Sequence, residues 1–150
     1  NIAWALRHLP VVGVFGAGDY RLQPIYVDDL AQAAAERVNG ERDEVVEAIG
    51  PETFTFSEMV RLMADTMGRR MFFVKMPSVL GIFLGRMISL ALNDVLLTSN
   101  ELKGLMDEML TSEQLPNGQT RFSDWLRENR STVGSSYSSE VARHFRWSAS

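Results

Sequence analysis

The chain has 150 residues, enough to bury one core and short enough for a single domain. Its formal net charge of −4 comes from interspersed acidic and basic residues, so it lacks the basic footprint that a nucleic-acid partner needs. It contains no cysteine, which excludes a disulfide framework and a thiolate metal site and agrees with a reducing compartment.

Residues 2–9 can form a short helix that Pro10 ends, and 11–15 is an apolar run interrupted by Gly13. Gly16-Ala17-Gly18-Asp19 reads as a turn. A strand over 21–27 then runs into a helix reaching about Val38, with Asp28 or Asp29 as its cap. Asp29 followed by Gln32 has the spacing of a capping box, and Asn39-Gly40 is a stop signal. Residues 44–49 are rich in valine and isoleucine and read as a strand, closed by Gly50-Pro51.

Thr55-Phe56-Ser57-Glu58 is a second capping box, and Met59, Leu62, Met63 and Met67 follow at helical spacing until Gly68. Residues 71–76 read as another strand. Pro77 suits the first position of a long helix to about Leu92, whose polar stripe is narrow. The apolar run from 74 to 97 is interrupted by Lys75, Arg86, Asn93 and Asp94, and Arg86 at the middle of a membrane span would cost roughly 2.5 to 3.5 kcal/mol. A buried or interfacial helix is therefore expected there. A third capping box at 98–101 opens a helix with Leu102, Leu105, Met106, Met109 and Leu110 on one face, and Phe122, Trp125 and Leu126 mark a shorter one. The serine-rich stretch 131–139 reads as a linker before a last short helix through Val141 and Phe145. Residues 1–130 are thus expected to form one α/β subdomain, short strands alternating with helices and then helices alone. Residues 131–150 are expected to be a flexible linker and terminal helix.

Few constellations suggest chemistry. The glycines of Gly13-Val14-Phe15-Gly16-Ala17-Gly18 lack dinucleotide-loop spacing and precede a proline-containing segment rather than a helix, so they read as a turn. A tyrosine activated by a lysine four residues on is absent: Pro24, Leu30 and Val141 follow Tyr20, Tyr26 and Tyr137 at that distance. Asp28 and Asp29 are adjacent and so point in different directions, which fits capping better than acid and base work. His8 and His144 have no ligand companions, and no metal site is expected. Ser123 and Asp124 with His144 match no hydrolase motif. The methionines read as core filling.

Gln23-Pro-Ile-Tyr-Val-Asp-Asp-Leu-Ala31, followed by Glu47-Ala-Ile-Gly-Pro-Glu-Thr-Phe-Thr-Phe-Ser-Glu58, resembles the late part of the extended and atypical short-chain dehydrogenase/reductases. These belong to the NAD-dependent epimerase/dehydratase family, which includes nucleotide-sugar epimerases and the NAD(P)-binding accessory subunit of respiratory complex I. The resemblance covers roughly residues 9–126. It implies the C-terminal portion of a Rossmann-like protein, whose N-terminal half would carry the glycine loop and the Tyr/Lys pair and bind NAD or NADP. By the same resemblance Gln23 and Tyr26 are the candidate substrate-binding residues, and no catalytic or cofactor-binding residue is expected in this chain. Leu22 and Gln23 stand where sugar-nucleotide members often carry an Arg-Asp pair, which tilts toward the atypical branch. An opening on Asn1 agrees with a fragment.

Two functional expectations result. In the first, the chain is the substrate-binding subdomain of an NAD(P)-dependent epimerase/dehydratase-like or atypical reductase, cytoplasmic and not catalytic by itself, meeting its small-molecule substrate together with the missing half. In the second it is a non-enzymatic assembly module, packing the 77–92 helix on a partner or at the periphery of a membrane. In either case an exposed apolar surface would support a homodimer.

Overall fold

The computed structural model describes residues 1–38, 45–77, 104 and 110–139. Their architecture is mixed α/β: α1 (Ile2–His8), β1 (Val11–Phe15), β2 (Arg21–Leu22), α2 (Val27–Ala35), β3 (Phe54–Thr55), α3 (Phe56–Thr66), β4 (Phe72–Met76) and α4 (Phe122–Glu128). The helices expected over 77–92 and 98–110 lie outside the described residues, apart from Pro77, helical Gly104 and Leu110, which bridges to Leu22. The expected helix through Val141 and Phe145 lies outside them too.

α3 forms as its local signals require. Thr55 Oγ1 accepts the Glu58 amide and the Glu58 carboxylate accepts the Thr55 amide, completing the capping box. At the other end Gly68 N–H donates to Asp65 and Arg69 N–H to Ala64, so two terminal carbonyls are satisfied. The inward face is Phe56, Val60, Met63 and Ala64. These meet Ala3 and Leu6 of α1, Val14 of β1, Tyr20, Leu22 of β2 and Leu126 of α4 in one core. Met59, Met67 and Met71 pack against it, as the core-filling reading requires. Arg69 donates to the carbonyls of Leu6 and Arg7, closing the C-terminus of α1.

β1 and β4 pair in parallel, from Val11 opposite Phe72 to Phe15 opposite Met76. Val12, Val14 and Phe73 on one face meet the core. On the other face Val11, Phe72 and Val74 are exposed, Phe72 by 73%.

Four expectations need correction. The strand over 21–27 shrinks to Arg21–Leu22, paired with β3, because the Gln23 amide goes to Leu110 O and Pro24 has no N–H to continue a ladder. α2 starts at Val27 with Tyr26 as its cap, and neither Asp28 nor Asp29 caps it. The Gln32 side chain bonds Glu36, not the helix start. In the stretch 44–49 the described residues form no strand, because Asn117 takes their backbone groups: Ile49 N–H donates to Asn117 Oδ1, and Asn117 Nδ2 donates to Glu47 O. Finally, residues 131–139 do not hang free as a linker but lie across α1. Arg7 donates to the carbonyls of Arg130 and Val133, Asn1 and Ser138 exchange two hydrogen bonds, and Tyr137 meets Trp4 edge-on at 5.2 Å. Gly134, at φ +71°, fits there because a Cβ would collide with the Ala3–Trp4 backbone.

Candidate functional site

The segment between β2 and α2 runs between two concavities. The larger is a cleft of about 560 Å³ whose walls include Gln23, Ile25, Glu47, Ile49, Leu110 and Ser112. Its floor is held by the Gln23 side chain, whose Nε2 donates to Gly50 O at 2.9 Å while Oε1 accepts the Ser112 amide at 3.4 Å. Gly50 has no space for a side chain, since a Cβ would overlap Pro24 O. Gln23 therefore lines the cleft, with both ends of its amide engaged by backbone.

Tyr26 is separated from it and faces the second concavity, an apolar hollow of about 290 Å³ shared with Ile25, Val27, Thr120, Phe122 and Trp125. Pro24 and Ile25 line both. The Tyr26 ring stands 6.5 Å from Trp125, which stacks with Phe122 at 6.4 Å. A hydrogen bond to Asp28 raises the Tyr26 phenol above its ordinary range, with the charge of Asp28, burial and the charge of Asp29 acting the same way. Such a phenol is a poor proton donor for chemistry at neutral pH.

The two adjacent aspartates have separate roles. Asp29 Oδ2 accepts the Gln119 amide at 2.8 Å and the Thr120 amide at 2.7 Å, and Oδ1 accepts the Thr120 hydroxyl at 3.0 Å. The Thr120 amide leads in holding the Asp29 carboxyl below its usual range; burial opposes it, and the Gln119 amide and Thr120 hydroxyl add to it. Asp29 is thus a clasp between the start of α2 and the loop that delivers α4.

Glu52 is a second clasp that the sequence did not reveal. Its carboxylate accepts the Ser123 amide at 2.8 Å, the Ser123 hydroxyl at 2.7 Å and Arg121 Nη2 at 2.9 Å. It serves as the N-terminal cap of α4 from a distant turn, for no α4 side chain does so. Burial works against its charge, yet the Ser123 donors and Arg121 prevail and hold its carboxyl below the usual range. Its place in Gly50-Pro51-Glu52 was a turn signal only. Asn117 was missed as well, although Pro116-Asn117-Gly118 has the composition of a turn.

In the glycine turn only Gly18 is buried, and its carbonyl accepts the Ser57 amide at the start of α3. His8 Nδ1 lies 2.8 Å from Trp4 O, and His144 is outside the described residues. Among the described residues no group of three or more His, Cys, Asp or Glu side chains could hold a metal ion, and no helix is long and apolar enough to cross a membrane. Comparison with protein-family models and with curated proteins returned no match.

Proposed function

We propose that this chain is the substrate-side, C-terminal portion of an NAD(P)-dependent extended or atypical short-chain reductase, without catalytic power of its own. The observation that carries the reading is the bare parallel pair. Parallel strands belong to α/β sheets covered on both faces, yet Val11, Phe72 and Val74 stand exposed on one face of β1 and β4. Among the described residues this sheet has two strands, and such a face fits a piece of a larger sheet assembly. The cleft at Gln23 offers a place for a small substrate beside a cofactor carried elsewhere.

Calorimetric titration of NAD(H) and NADP(H) tests this. The 150 residues alone should give no saturable heat, whereas the chain extended upstream by the residues its gene encodes should bind one of them. Tight binding by these 150 residues alone would overturn the reading.

The same exposed face favours a second reading, an assembly module that pairs with another copy of itself. Sedimentation equilibrium separates the two. A dimer that Phe72→Asp dissociates supports the module, and a monomer at all concentrations removes it.

A further inference from the structure

The hollow at Tyr26 has a chemistry that the reductase reading does not use. Three aromatic rings line it, those of Tyr26, Phe122 and Trp125, with aliphatic atoms of Ile25 and Val27 between them. Its polar groups are already engaged. The Thr120 amide and hydroxyl both go to Asp29, and the Tyr26 hydroxyl goes to Asp28. A sugar, phosphate or carboxylate entering here would therefore lose its water contacts and find few donors in exchange.

The surrounding charge is negative. Asp28 and Asp29 open α2 directly after Tyr26 and Val27, two residues that line the hollow. Arg121 and Arg127 are paired with other carboxylates: Arg121 with Glu52 at 2.9 Å and with Asp124 at 3.9 Å, and Arg127 with Asp124 at 2.7 Å. The amides at the start of α2 carry about half a positive charge, less than the two full carboxylates beside them. An apolar, aromatic wall in a negative field attracts a cation that needs no hydrogen bonds.

We propose that the hollow bounded by Tyr26, Phe122 and Trp125 binds an N-methylated ammonium group, held by the ring faces and by the charge of Asp28 and Asp29. This does not depend on the reductase reading, because it concerns the aromatic hollow and not the cleft at Gln23.

The test uses choline and its neutral isostere 3,3-dimethylbutanol, which has the same shape without the charge. Each is titrated into the whole chain and followed through the Trp125 indole N–H resonance, assigned by comparison with Trp125→Phe. Choline should bind saturably and roughly 10-fold more tightly than the isostere, the scale that a few cation–ring contacts supply. Trp125 packs against the core, so Tyr26→Leu serves as the second variant. It should weaken choline by roughly 5-fold and leave the isostere unchanged, with the circular dichroism of the native chain. Asp28→Asn should weaken choline alone. Equal affinity for the two ligands, no binding of either at millimolar concentration, or undiminished choline binding by Tyr26→Leu would each overturn the proposal.

Discussion

Glu52→Gln should destabilise the chain through a single buried contact set, with a pH signature of its own. The Glu52 side chain is only 11% exposed. Its Oε2 accepts the Ser123 amide, and its Oε1 accepts the Ser123 hydroxyl and Arg121. Glutamine keeps one acceptor oxygen, sufficient for the Ser123 amide, but turns an NH2 toward Arg121, so two donors face each other. Hydrogen bonds to a charged group contribute about 1.5–3 kcal/mol against about 0.5–1.5 for neutral ones, so losing the charge at Ser123 should cost about 1–2 kcal/mol. The Arg121 partner is 60% exposed, and its loss adds at most about 1 kcal/mol. The sum of about 2 kcal/mol corresponds to a fall in Tm of roughly 4–8 °C for a chain of this size. The Glu52 carboxyl is held below its usual 4.5 when folded. Between its folded value and 4.5 the unfolded chain binds more protons, so the stabilisation is complete above about pH 4.5 and fades as pH falls through the folded value. Urea denaturation of both proteins at pH 7 and at pH 3.5, followed by circular dichroism, should thus show the variant's deficit shrinking in acid. An equal deficit at both pH values, or one below about 0.5 kcal/mol at pH 7, would refute the assignment of α4 capping to the Glu52 charge.

Asp29→Ala should expose the Gln119 and Thr120 amides to hydrogen exchange while the α3 amides keep their protection. Because the Asp29 carboxyl is held below 3.8, the native chain should show the same loosening only on acidification below that value. Gly134→Ala forces a side chain into the left-handed region at φ +71° and against the Ala3–Trp4 backbone, so it should cost at least about 1–2 kcal/mol and open residues 131–139 to proteolysis. An unchanged Tm and digestion pattern would show that this stretch is not held on α1. Tyr20, 5% exposed, has a hydroxyl with no hydrogen-bond partner among the described residues, and burial followed by the charge of Asp19 pushes its phenol to about 12. Tyr20→Phe removes that unsatisfied group and should leave stability unchanged or raise it by up to about 1 kcal/mol; a loss of that size would reveal a partner for the hydroxyl.

The legible parts of the fold were those whose causes lie within a few residues. Thr55 and Glu58 are three positions apart and bond each other, so α3 could be read directly. α1, β4 and α4 followed their apolar spacing in the same way. The strand expected over 44–49 failed because valine and isoleucine state a preference without naming a partner. Its backbone groups found Asn117, 68 residues away. The pair Asp28-Asp29 looked like a helix cap because capping is the commonest local use of an aspartate. The loop at 119–120 offered Asp29 three donors, more than the first turn of α2 provides. Gln23 and Tyr26 were chosen together from one segment, yet they face two different hollows.

What the sequence determined by itself is α1, α3, β4 and α4, the absence of a Tyr/Lys pair and the turn made by the glycines, all properties of neighbouring residues. Where Asp29, Glu52, Gln23 and Asn117 spend their hydrogen bonds, and so where the hollows lie, was decided only in the tertiary structure. The physical reason is that a polar side chain goes to the site supplying the most hydrogen-bond partners with the least water, and those partners stand 27 to 91 residues away.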